Sequence, residues 1–282
     1  MSTTKEHPDT SGSPLVSERL FECLGGLEYR PVDADKTVTR PVTAWPLDHE
    51  ALLNSGPIRA PAFYKGQWSK PGWYWMASLG RHISYESKFE RSFLMEADFA
   101  GTVTGVVPQP FRLHFERDTA PHRHIPDYLV AHEEDIPELV DVKGLRAREK
   151  PLNRLTFALT ECACDQLELR FTVYSEPDPD WQENLAFLAG FRNPLFARVD
   201  EHLPLLVDVL ADAPLPFDEA CRRLVSAGVD MGVAAATVWR AAWRRVVQVP
   251  LRSGLLNDDV LVEVARPEPT EGLLNHEMRS AA

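Results

Sequence analysis

Residues 126–143, PDYLVAHEEDIPELVDVK, hold two short apolar runs, each opened by a proline, with an acidic turn at His132-Glu133-Glu134-Asp135 between them. Runs of this length bounded by turn residues read as strands, here PDYLVA and PELVDVK. A short turn joins antiparallel neighbours, because parallel strands need a long crossover. Downstream, LNRLTFALTECACDQL (152–167) reads as a helix and ELRFTVYS (168–175) as the strand after it. Strands first and then helix–strand alternation restrict the chain to an α/β sheet that is partly antiparallel at its start.

The same stretch carries residues that strands disfavour. Asp127 follows Pro126, and the second run ends Asp141-Val142-Lys143. A half-buried pleated surface favours branched and aromatic side chains over acids and lysines. A turn between the strands can bring both aspartates to one end of the sheet, and residues two apart share a face, so Asp141 and Lys143 point the same way. Hard divalent cations such as Mg²⁺ take one or two carboxylates and keep several waters. The Val142 carbonyl is a further oxygen at the same place. A lysine beside the cation can orient an attacking water, and the cation offsets charge on a phosphoryl group. That equipment suits phosphodiester hydrolysis. The plain alternative is a turn-opening Asp and a cross-strand D-x-K pair on the surface.

Elsewhere the pattern is less constrained. SYESKFERSFLMEADF (84–99) reads as a helix capped by Ser84, with Phe89, Phe93 and Ala97 on one face and Glu86 and Glu90 on its polar side. GVVPQPFRLHFER (105–117) reads as one strand, and DWQENLAFLAGFR (180–192) as a helix capped by Asp180. Residues 198–211, 216–228 and 232–247 read as three helices, followed by two short strands around a turn at 254–259, the order of elements in a winged helix–turn–helix. Trp239 and Trp243 on the third helix should be core, with Arg240, Arg244 and Arg245 as a modest basic edge. Residues 1–69, polar at first and then proline-rich, read as a loosely structured arm that is partly disordered. The expected division is an arm at 1–69, a catalytic domain at 70–196 and a winged-helix-like domain at 197–282.

The 282-residue chain has a formal charge of −12, which argues against gripping nucleic acid by bulk charge. Four cysteines without CxxC spacing suit reduced thiols in a cytoplasm. Without a long apolar run or a charged-then-apolar leader, the chain is expected to be soluble and intracellular, not in a membrane.

A helix glutamate, then PD, then (D/E)xK is the restriction-endonuclease-like nuclease signature. The longer series GRHISYESKFERSFLMEADF, VVPQPFRLHF, HIPDYLV, ELVDVK and ENLAFLAGFRNP, over about residues 70–195, closely resembles the TnsA family. Members of that family are the endonuclease subunits of heteromeric transposases. The resemblance implies a restriction-endonuclease-like mixed β-sheet with flanking helices. It also implies a catalytic set of Glu90, Asp127, Asp141 and Lys143, with Mg²⁺ (Mn²⁺ substituting) held by Glu90, Asp127, Asp141 and the Val142 carbonyl. Glu90 falls in the family's S-x-x-E pattern, here Ser87-Lys88-Phe89-Glu90, with Glu86 as the alternative helix acid. Gln109 falls in its Q-P-F block as a supporting residue. Arg81, Arg123 and His124 are candidate phosphate contacts. Gly144 stands where the family often has proline.

The resemblance further implies cleavage of the strand bearing the transposon's 5′ end, beside a TnsB-like DDE-type transposase and a TnsC-like AAA+ ATPase. The expected location is the cytoplasm, on the nucleoid when assembled on transposon-end DNA. If the transposase partner holds the DNA, this subunit need not be basic. Two other readings stand beside this one: a free-standing restriction or repair nuclease of the same fold, and a catalytically inactive winged-helix adaptor.

Overall fold

The computed structural model describes residues 24–31, 36–41, 48–60, 70–116, 121–133 and 135–266, and its architecture is mixed α/β. The sheet that carries the two proline-opened strands is built from β5 (Val103–Pro108), β8 (Tyr128–His132), β9 (Glu138–Val142) and β10 (Arg170–Tyr174), in the order β10-β9-β8-β5. The β5–β8 and β8–β9 pairs are antiparallel, while β10 runs parallel to β9 after a crossover through α4 (Pro151–Leu167).

Alternation along these strands divides two apolar cores between the two faces of the sheet. Val106, Tyr128, Val130, Val140, Val142 and Tyr174 enter one core, against Phe93, Leu94 and Ala97 of α2 (Lys88–Ala100). Val107, Leu129 and Leu139 enter the other, with Leu159, Ala163 and Leu167 of α4. That second core also takes Leu27 of β1 (Leu24–Tyr29) and Leu113 and Phe115 of β6 (Phe111–Phe115). These last two strands belong to a second sheet, β2-β1-β6-β7, completed by β2 (Val38–Pro41) and the short β7 (His122–His124). A hairpin of β3 (Gly72–Met76) and β4 (Arg81–Tyr85) adds Tyr74, Met76 and Ile83 to the first core, and the short helix α1 (His49–Leu53) adds Leu52 to the second.

Several expected boundaries move, each for a local reason. The helix expected from Ser84 starts at Lys88, because residues 81–85 pair with 72–76 and Ile83 alternates into the core. Its N-cap is Ser87, whose hydroxyl accepts from the Glu90 N–H at 3.1 Å. Residues 105–117 are not one strand. Gln109 takes a φ of 45°, Pro110 follows it, and the chain leaves one sheet for the other between β5 and β6. The helix α5 (Pro179–Leu188) is capped by Asp178, not Asp180, since Pro179 occupies the first turn, where a missing N–H costs nothing. Residues 194–202 form a 3₁₀ segment ahead of α6 (Leu203–Val209), with Pro204 opening the new helix.

The loosely structured arm does not hold for residues 24–29 and 38–41, which are sheet strands; residues 1–23 lie outside the described residues. Nor does the expected boundary near 196 separate two cores. The C-terminal elements α6, α7 (Phe217–Ser226), α8 (Met231–Trp243) and a three-stranded sheet β11-β13-β12 (Leu215–Pro216, Leu261–Val264, Val247–Gln248) share the core of α2. Phe99 of α2 meets Trp243 of α8 with ring centroids 5.4 Å apart, and Trp181 of α5 at 5.9 Å. Trp239 and Trp243 are buried as expected.

Candidate active site

Strand register alone aligns the acids. Tyr128 pairs with Val140, so Asp127 falls opposite Asp141; Pro108 pairs with Tyr128, so Gln109 falls opposite Asp127. The Gln109 N–H donates to the Asp127 carbonyl at 2.8 Å, and Val173 pairs with Asp141 on the far side. Gln109, Asp127 and Asp141 thus form one row across three strands at one end of the sheet.

The proline of the PD pair opens this end. The Val142 N–H points toward β8, whereas the next one, of Lys143, donates to Tyr174 of β10 at 2.9 Å. The residue facing Val142 on β8's extension is Pro126, which has no N–H to return to the Val142 carbonyl. Asp127 fills part of the gap: its Oδ2 accepts the Val142 N–H at 2.7 Å. The Val142 carbonyl is left on that side without a ladder donor.

Each functional side chain arrives on a different element. Asp141, 2% exposed, sits in β9, and its Oδ2 lies 2.7 Å from Nε2 of His124, delivered by β7 of the neighbouring sheet. Glu90, 7% exposed, comes from the first turn of α2, where its Oε2 accepts from the Glu86 N–H at 2.7 Å and the Tyr128 hydroxyl at 3.4 Å. Lys143 follows β9 directly and is half-buried. Burial, then the carboxylates of Asp141 and Glu90, push Asp127 well above the usual carboxylate range, while the Lys143 ammonium pulls the other way. Asp127 thus feels the charges of Asp141, Glu90 and Lys143. Burial raises Glu90 as well, and burial together with Asp141 raises the Cys164 thiol of α4.

Of the two helix acids, Glu90 is the one at the cluster. The Glu86 carboxylate turns away to a two-pronged ion pair with Arg59 at 2.7 Å, and only its backbone N–H serves the site. His124, expected as a phosphate contact, is spent on Asp141. Arg81 donates to the Val106 carbonyl at 2.5 Å, and Arg123 is exposed on β7. His122 bonds Thr156 of α4 at 3.0 Å, so the two histidines of PHRHIPD do not form a metal pair. Gln109 is 3% exposed, and its Oε1 is buried without a hydrogen-bond partner among the described residues.

Among the described residues, no three His, Cys, Asp or Glu side chains form a ready-made metal-holding group. Glu90, expected as the third carboxylate ligand, has its Oε2 engaged by the Glu86 amide and the Tyr128 hydroxyl. Two carboxylates and a carbonyl remain, all hard oxygens, and that suffices for Mg²⁺ with waters completing its shell. The donors fit such an ion in charge as well: the half-buried Asp127 feels the carboxylates of Asp141 and Glu90, with Lys143 as the opposing cation.

One basic segment escaped notice in the sequence. From Lys143 to Arg154 the chain carries Lys143, Arg146, Arg148, Lys150 and Arg154 against one acid, Glu149. Whole-chain charge hid it; a window over the residues following the D-x-K block would have found it. Searches against known protein families and against curated proteins return no match to this chain.

Proposed function

We propose that this chain is a divalent-metal-dependent DNA endonuclease of the TnsA-like kind, the subunit of a heteromeric transposase that hydrolyses the phosphodiester at the transposon's 5′ ends. The observation that carries the reading is the Gln109–Asp127–Asp141 row, opened by Pro126 and flanked by Lys143. The sheet also supports it: β5, β8 and β9 run antiparallel, β10 runs parallel to β9, and α2 and α4 flank them, in keeping with the mixed sheet with flanking helices that the resemblance implies. The helices α6 to α8 with the β11-β13-β12 sheet suit a winged helix.

In this reading Asp127, Asp141 and the Val142 carbonyl would hold Mg²⁺ or Mn²⁺, which when bound would supply Lewis-acid stabilisation of charge on the phosphoryl oxygens. Glu90 supports the cluster from α2 as an outer acid. His124 fixes the Asp141 carboxylate, in the way a hydrogen-bonded outer partner orients a ligand. Lys143 neutralises negative charge beside the attacked phosphate and positions the attacking water. Gln109 offers a buried amide beside Asp127.

The partners proposed are transposon-end DNA, a TnsB-like DDE-type transposase and a TnsC-like AAA+ ATPase. No helix among the described residues is long and apolar enough to cross a membrane. Strand-resolved cleavage of end-labelled transposon-end DNA, with and without those partners, tests the proposal. Metal-dependent cuts confined to the 5′-end strand support it. Partner-independent cutting of arbitrary duplex would favour a free-standing nuclease, and no cutting under any combination would favour an inactive adaptor.

A further inference from the structure

The basic segment after Lys143 is exposed, uncommitted and next to the site. Arg146 and Lys150 are exposed, Arg148 is half-buried, and Arg154 is exposed on the first turns of α4. Several arginines elsewhere are tied to carboxylates: Arg59 to Glu86, Arg112 to Glu28, Arg170 to Asp135, Arg222 and Arg223 to Asp218 and Glu219, Arg240 and Arg244 to Asp200. Among the described residues, none of Arg146, Arg148, Lys150 and Arg154 is in an ion pair within 4.0 Å. Two of them lie on a short helix, α3 (Leu145–Arg148).

The segment is fixed in place. The Glu176 carboxylate accepts the Leu145 N–H at 2.5 Å, Asn153 donates to the Ala147 carbonyl at 2.5 Å, and the Arg154 N–H bonds the Lys150 carbonyl at 3.0 Å. Its start abuts the site. A Cβ on Gly144 would come within 3.2 Å of the Phe89 ring, the residue before Glu90, and within 2.9 Å of Glu176 Oε1. Leu145 and Leu152, 54% and 63% exposed, interrupt the cations with apolar surface.

We infer that Arg146, Arg148, Lys150 and Arg154 form a phosphate-binding ridge that lays a nucleic-acid backbone along the chain leading out of Lys143. The inference rests on the nuclease reading for the choice of nucleic acid over other polyanions. It revises the expectation from net charge: a chain at −12 can grip DNA when its free cations are concentrated where the strand must pass. Within the segment the one carboxylate is Glu149, and Glu176, which meets its start, is occupied by the Leu145 N–H.

The test is duplex binding by the full chain without divalent metal, read by anisotropy of a labelled duplex between about 50 and 200 mM salt. The wild type should bind with a log–log salt slope that becomes shallower by about 3 to 4 when all four residues are changed to Gln, because each lost phosphate contact removes about 0.9. Arg222→Gln with Arg223→Gln, at ion-paired positions on α7, should leave the slope unchanged. The four-residue variant should melt close to the wild type, since three of its side chains are exposed and none of the four is in an ion pair among the described residues. An unchanged slope in that variant, an equal change in the α7 control, or equal affinity for polyglutamate would overturn the ridge. Because no chemistry is read, a ridge that binds but a site that never cleaves would sink the nuclease reading alone.

Discussion

At the residue scale, the site depends on partners that fix carboxylates. His124 holds Asp141 Oδ2 at 2.7 Å, so His124→Ala should cut metal-dependent cleavage by about 10–100-fold, the usual cost of an outer-shell partner. His124→Gln, which can still donate to a carboxylate, should recover part of it in the same assay. Lys143→Ala should reduce the rate by about 10²–10³-fold, the scale of losing one charge-stabilising group. Asp127→Asn should abolish cleavage yet melt above the wild type in metal-free buffer near neutral pH. Burial and two neighbouring carboxylates disfavour its charge there, and Asn can still accept the Val142 N–H. A variant that melts lower would contradict that electrostatic picture.

At the element scale, Glu138 ties three strands together. It faces His132 of β8 at 3.4 Å and accepts from Thr172 of β10 at 2.5 Å. Burial works to raise its carboxyl, but the neighbouring His132 and the Thr172 hydroxyl prevail and hold it below the usual range. With the folded pKa lowered, its stabilisation is present above the unfolded value of about 4.3 and is lost as pH falls through the folded value. Glu138→Gln should therefore cost about 1–3 kcal/mol at neutral pH, and the gap to wild type should close in acid below about pH 4. Denaturant melts across pH measure both. A gap independent of pH would mean the carboxylate charge is immaterial.

The elements that carry the site were legible because their signals are short-range. The runs PDYLVA and PELVDVK fix two strands, and one register step from Tyr128–Val140 puts Asp127 opposite Asp141. What stayed hidden depended on distant pairing. Ser84 and Tyr85 look like a helix start until Trp73 and Gly72 pair with them. His124 on Asp141 follows only from β7 joining a second sheet whose β1, Leu24–Tyr29, lies far earlier in the chain. Gln109 splits what reads as one strand because its left-handed φ redirects the chain, a conformation that side-chain pattern does not encode.

At the scale of the whole molecule, a single core runs from the α2 side of the sheet into the C-terminal helices. Arg240 and Arg244 are bound to Asp200, so α8 presents less free basic edge than its sequence suggested. Phe99→Ala, which removes a ring packed on both Trp181 and Trp243, should cost about 3–5 kcal/mol and leave one cooperative unfolding transition. Two separated transitions would show that the C-terminal elements fold as an independent domain. Function is also a property of the assembled molecule, since Glu90, His124, Asp127 and Asp141 come from α2, β7, the start of β8 and β9. The most direct measurement of whether they make a metal-dependent site is Mn²⁺ calorimetry on the full chain, which requires neither DNA nor partners. Wild type and Lys143→Ala should bind the ion alike, while Asp141→Asn should lose more than the roughly 10–100-fold expected for an outer-shell change. Equal Mn²⁺ affinity in wild type and Asp141→Asn would contradict the assignment of Asp141, and with it the site.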